Sequence, residues 1–155
     1  MKVRLYILFL LLFIACTNES PNKLWNHAND MRSQNNLRES IIYLEKIISR
    51  HPNHNLAEKS QFQIAEIYLN DIKEFDLAIE EFNKVIFSYP DSDVAKNSLF
   101  MIAYIYNNYL GAYSAAINSY NQFISKYPND ELIPSVMYEL EGMVKIQNDI
   151  DSLNS

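Results

Sequence analysis

Glycine is nearly missing from this chain: Gly111 and Gly142 are the only two in 155 residues. Sheet proteins draw on glycine for hairpin turns with positive φ, so the scarcity argues against a β-rich fold and leaves an all-α one. Cysteine is rarer still, with Cys16 alone, which excludes an intramolecular disulfide. Cations are outnumbered, 13 Lys and Arg against 19 Asp and Glu. Setting aside the first fifteen residues, with Lys2 and Arg4, moves the formal charge from −6 to −8. A surface with so few cations releases few phosphate counterions, which makes nucleic acid a poor partner.

The chemistry of catalysis is equally thin. No Gly-rich phosphate loop and no GxSxG elbow occurs. The histidines are His27, His51 and His54. His51 and His54 flank Pro52 on a turn with no cysteine or third ligand nearby, so they read as turn residues and no metal is expected. Glu80 with Glu81, Glu139 with Glu141, and Asp149 with Asp151 read as solvated helix faces and tail. Met101, Met137 and Met143 fall on apolar helix faces and read as core. Neither an enzyme nor a cofactor is expected.

What is present begins at the N-terminus. Lys2 and Arg4 precede an unbroken apolar run, Leu5 to Ile14. Ten residues make about 15 Å of helix, half of a bilayer core of about 30 Å. That is too short to span but suits the core of a signal peptide. The run ends in Phe13-Ile14-Ala15-Cys16, which resembles the lipobox of bacterial lipoproteins. The resemblance implies a signal peptide over residues 1–15 and lipidation of Cys16. Residues 16–22 then form the lipidated cysteine and a polar tether. Thr17 after the cysteine, by resemblance to enterobacterial sorting rules, implies the outer membrane.

The remaining sequence repeats itself. Leu44 to Pro52, Phe82 to Pro90 and Tyr120 to Pro128 align without gaps, and their closing prolines are evenly spaced. The same offset pairs Ser40 with Ala78 and Ala116, Phe62 with Phe100 and Tyr138, Ala65 with Ala103, and Tyr68 with Tyr106. A hydrophobic content of 48% is too high for a disordered chain, and a fixed period of this size marks stacked supersecondary units. Apolar residues at helical spacing over 57–70 and 75–88 predict two helices per unit. Each proline stops the second helix, and Asp91, Ser92 and Asp93 offer side-chain acceptors to start the next. Ala65 and Ala78 let helix backbones approach, with Tyr68 or Phe82 filling the space beside them.

Small residues alternating with aromatics and closed by proline resemble the tetratricopeptide repeat. The resemblance covers about residues 23–147. It implies a right-handed α-solenoid, here three helix pairs plus a C-terminal capping helix, with the repeat domain at 23–148 and a tail at 149–155. The usual repeat has about 34 residues, so these units carry about four more. From Ala28 to Ser40 is twelve positions, whereas Ala65 to Ala78 and Ala103 to Ala116 are thirteen. That places one extra residue in the later inter-helix turns, and the remainder after the prolines. Glu141 stands where Ala65 and Ala103 do, which makes the helix from Ile133 a cap, with Val136, Met137, Leu140, Met143 and Val144 on one face.

In such arrays the first helix of each pair lines the concave side. Carried over residue by residue, the resemblance implies a partner-binding groove of Trp25, Asn29 and Arg32 in the first unit. The second contributes Lys59, Phe62, Glu66 and Asn70. The third gives Asn97, Phe100, Tyr104, Asn107 and Asn108, and the cap adds Tyr138. Carboxamides both donate to and accept from a peptide backbone, and rings give flat apolar contact at low entropic cost. Units ending in Tyr-Pro-Asp or Tyr-Pro-Asn are similar to those of envelope lipoproteins of the barrel-assembly (BamD-like) and Tol–Pal-associated cell-division coordinator type. The implied function is a lipid-anchored adaptor that binds envelope proteins or extended peptides. The alternative is an uptake lipoprotein for a glycan or peptide, with Tyr104 and Tyr109 stacking on sugars.

Overall fold

The computed structural model describes residues 19–153. The expected signal peptide, Cys16 and the start of the tether lie outside the described residues. Seven helices follow in order: α1 (Pro21–Ser33), α2 (Leu37–Arg50), α3 (Asn55–Glu66), α4 (Phe75–Ser88), α5 (Asp93–Asn108), α6 (Tyr113–Lys126) and α7 (Ile133–Leu153). α3 continues directly into a π-helical turn, Ile67–Ile72. No strand occurs among the described residues. Each helix packs on the next in sequence, giving an α-solenoid of three helix pairs and a last single helix. The first helices α1, α3 and α5 also meet across units more closely than the second helices do. Crowding on that side curves the array with the first helices inside.

The helix boundaries follow from local chemistry. Ser20 Oγ accepts from the Lys23 amide, and Pro21 takes the first helical position, where its missing N–H is not needed. Pro21 and Asn22, expected in the tether, therefore belong to α1. Ser92 Oγ accepts from Ala95 N at the head of α5, and His54 Nδ1 accepts from Leu56 N at the head of α3. His51, Tyr89 and Tyr127 end α2, α4 and α6, each immediately before a proline that disfavours helix at the preceding residue.

The extra residue of the later units is not in the turn. Asn35, Lys73 and Gly111 all adopt left-handed φ, 61°, 65° and 60°, and they hold the same place in successive units. The turn is closed by the same kind of bond each time: Asn36 N to Met31 O, Glu74 N to Tyr68 O, and Ala112 N to Tyr106 O. A left-handed residue closing a helix end is a motif of fixed geometry, so it does not accommodate an insertion. The helix does, by widening its last turn. Hence the π-helical turn at Ile67–Ile72, and at the end of α5 the Leu110 amide reaching back to Ile105 O.

Packing repeats with the same period. Ala65, Ala78, Ala103 and Ala116 are fully buried and let paired helices approach. Beside them Phe62 meets Phe82 edge-to-face at 5.3 Å and 63°, and Phe100 meets Tyr120 at 5.8 Å and 64°. Both partners in the second pair stand one repeat after those in the first. Such edge-to-face pairs contribute about 0.5–1.5 kcal/mol beyond the area they bury.

The last helix departs from expectation in two ways. It runs to Leu153, well into the expected tail, with Gln147 donating to Asp151 one turn on. Its apolar face is also only partly covered. Val136, Leu140 and Met143 are buried, but Met137 is 53% exposed and Val144 is 43% exposed; Met101 is half-buried. Met137 and Val144 occupy positions that a following second helix would cover, and among the described residues none follows α7.

Candidate partner-binding face

The inner face is built from positions on α1, α3, α5 and α7. The expected groove residues divide there into those that hold the array together and those that remain available. Asn29 is of the first kind: its Nδ2 donates to Trp25 O at 3.0 Å, and its Oδ1 accepts from Gln63 Nε2 at 2.8 Å, tying α1 to α3. Arg32 is another, with both Nε and Nη2 at 2.7 Å from Asp71 Oδ2. Asn107 Nδ2 donates to Glu139 Oε2 at 3.0 Å, tying α5 to α7. Trp25 is half-buried and packs into the core beneath the first unit. Phe62 and Phe100 are half-buried, their rings engaged with Phe82 and Tyr120. These six positions are occupied by tertiary packing.

The second kind presents free chemistry. Lys59, Asn70 and Asn97 are exposed. Asn108 is exposed and donates to Tyr104 O one turn back. Glu66 lies beside the Arg32–Asp71 pair. Burial raises its carboxyl above the ordinary value, Arg32 draws it back, and Asp71 pushes it up again. Tyr138 stands at 78% exposure.

Two features escaped the sequence reading. Tyr104 meets Tyr109 at 5.9 Å, and Tyr109 stacks on Phe75 at 4.5 Å and 19°. This chain of three rings bridges the second and third units at the edge of the face, with Tyr109 46% and Leu110 39% exposed. Phe75 was not among the expected residues. The signal for it was the extra residue in the widened helix ends, which flank both Phe75 and Tyr109. The other feature is Gly142, which stands where Glu66 and Tyr104 stand in earlier units. A Cβ there would meet nothing within 4 Å. Instead a cleft of about 380 Å³ opens, lined by Asn107, Tyr138, Glu139, Gly142 and Ile146 among others.

The arrangement offers rings, amides and isolated charges, suited to contact rather than reaction. Among the described residues no three His, Cys, Asp or Glu side chains are placed to hold a metal ion. His51 Nε2 instead lies 3.0 Å from Glu19 O. No helix among them is long and apolar enough to cross a membrane.

A curved stack of helix pairs with such an inner face defines a helical-repeat binding module. More specifically, the family pattern described as Tetratricopeptide repeat matches residues 59–92 and 97–130, so the second and third units are tetratricopeptide repeats. The matched segments begin one repeat apart, and residues 93–96 between them form the first turn of α5. The first unit and α7 lie outside the matched segments. No curated protein matches the chain. Repeats of this kind support a role in binding other proteins or peptides, as generally non-catalytic scaffolds.

Proposed function

We propose that this chain is a membrane-anchored adaptor of the bacterial cell envelope, lipidated at Cys16, that binds other envelope proteins or extended peptides during envelope assembly. The reading places it on the periplasmic side of the outer membrane, beside lipoproteins of the barrel-assembly and Tol–Pal-associated type. The observation that carries the binding role is the row of available side chains along the inner helices: Lys59, Glu66 and Asn70 on α3, Asn97 and Asn108 on α5, and Tyr138 on α7, with the half-buried Tyr104 ring among them. Their recurrence on adjacent first helices gives one extended partner several successive contacts. The anchor rests on the sequence ending at Cys16, whose acyl chains would contribute about 0.8 kcal/mol per buried CH₂.

Two variants test the two halves separately. Cys16→Ser should move the protein from the membrane fraction to the soluble one; a variant still wholly membrane-bound overturns the anchor. Tyr104→Ala with Tyr138→Ala should lower partner recovery from solubilised membranes by about tenfold or more if either ring is a hot spot. Glu80→Ala with Asn83→Ala on α4 should leave recovery intact. The reverse pattern would move the binding surface to the outer helices. The exposed ring of Tyr109, with the half-buried Tyr104 against it, favours as a second reading stacking on a glycan. Oligosaccharide binding that is lost in Tyr109→Ala, with protein partners still recovered, would select that reading.

A further inference from the structure

The exposed face of α7 is defined by the repeat itself. Gln61 and Leu99, equivalent to Met137, are each 8% exposed, against 53% for Met137. Ala65 and Ala103 are fully buried, whereas Glu141 in the same place is exposed. Tyr68 and Tyr106 are half-buried, and Val144 is 43% exposed. Phe62 and Phe100 have ring partners on the helix that follows, but Tyr138, 78% exposed, has none among the described residues. In the earlier units each of these positions is covered by the pair's own second helix. At α7 the same positions border an open groove of about 630 Å³ whose floor includes Ile117, Met137, Leu140 and Val144. The shape left vacant is therefore that of a helix.

We infer that a second copy of this chain fills it, through antiparallel pairing of the two α7 helices about a twofold axis. The charges select this occupant. Glu141 borders the groove and Lys145, one turn on, lines the adjoining cleft beside Gly142; neither forms an ion pair among the described residues. A carboxylate in place of the small residue prevents the close approach used in the earlier pairs, and calls for a cation on the opposing helix. In an antiparallel pair centred near Met143, Glu141 of each copy faces Lys145 of the other. Val144 then meets its own copy close to the axis, and Tyr138 gains cover from the opposing helix. One surface supplies both halves of the contact, as a twofold interface requires. With 21 residues, α7 is about 31 Å long, enough for several turns of contact. The two first units then lie at opposite ends of the assembly, and the inner-face positions on α1, α3 and α5 of each copy stay open, while Tyr138 is taken into the contact.

The full chain, solubilised in mild detergent, tests this by sedimentation and by cross-linking. The expected result is a two-chain particle, with Glu141→Lys and Lys145→Glu each weakening association by tenfold or more. The double exchange, which restores opposite charges across the axis, should recover it. Val144→Cys should form a disulfide-linked dimer on oxidation, while Phe87→Cys on the exposed end of α4 should not. Thermal melting of the variants at low concentration checks that the fold is intact. A single-chain particle at all concentrations without Val144 cross-linking overturns the inference, as does a double exchange that fails to restore association. Stable occupation of the groove by a different protein in place of the second copy overturns it too.

Discussion

The two ends of the array use the same kind of helix and finish it differently. α1 turns Lys23, Asn26, Asp30 and Ser33 outward, all exposed and polar, while burying Leu24 and Ala28 completely. It is also fastened, through Asn29 to Gln63 and Arg32 to Asp71. α7 turns Met137, Tyr138, Val144, Ile146, Ile150 and Leu153 outward, and its hydrogen bonds to the body include those of Asn107 with Glu139 and Ser114 with Gln147. A repeat array needs a polar surface where stacking stops. The N-terminal end meets that requirement within the chain. Among the described residues α7 does not, and its outward face is apolar where that of α1 is polar.

Substitution at the two ends should expose the contrast most strongly. Leu24→Ala, at a fully buried site, should lower stability by about 2–5 kcal/mol. Met137→Ala should stay within about 0.5 kcal/mol in the isolated chain. Chemical denaturation of both variants checks this, and equal losses would show that α7 is as covered as α1.

The interior of the array sharpens the same point. Ala103→Leu should destabilise by about 1–3 kcal/mol through overpacking, because α5 and α6 approach across that residue and Ala116. Glu141→Ala, at the equivalent place on α7, should be nearly silent in melting experiments. A large effect there would mean that the vacancy beside α7 is already filled.

Smaller effects are expected from the backbone. Gly142→Ala should stabilise by about 0.5–1 kcal/mol, since glycine weakens a helix interior and the added Cβ has open space. If the cleft beside Gly142 takes a partner side chain, Gly142→Leu should instead reduce partner recovery while keeping the melting temperature. At the N-terminal end the equivalent position is Asn29, whose side chain is tied to Gln63.

The smallest effect concerns the charges that fasten that end. Burial raises the Glu66 carboxyl above its unfolded value of 4.5, so its ionisation opposes folding as pH rises from about 4.5 through the folded value. Below 4.5 the opposition vanishes. Glu66→Gln should therefore raise stability slightly at neutral pH, by a few tenths of a kcal/mol after solvent screening, and leave it unchanged near pH 4. A loss at pH 7 would show that attraction to the nearby Arg32 outweighs the burial of Glu66.

Much of this was legible from residues alone. The constant offset between units, the prolines that end α2, α4 and α6, the serine at the head of α5 and the small residues at 65, 78, 103 and 116 all act locally or by simple repetition. The extra residue was detected but misplaced, because counting between Ala65 and Ala78 cannot tell a longer turn from a widened helix. For the expected groove residues, the structure adds which of them already have partners within the chain. Asn29, Arg32 and Asn107 look like free polar groups in sequence, but each finds its partner on a distant part of the chain.

The sequence by itself determined the class of fold, the number of pairs and the residues at which backbones approach, because periodicity and helix stop signals depend on near neighbours. Only the tertiary structure decided which inner side chains remain free, where the ring chain of Phe75, Tyr109 and Tyr104 forms, and that α7 is left half covered. Those outcomes depend on which helix lies across from each residue. For the positions on α7, the period of the sequence specifies a neighbour that the described fold does not supply.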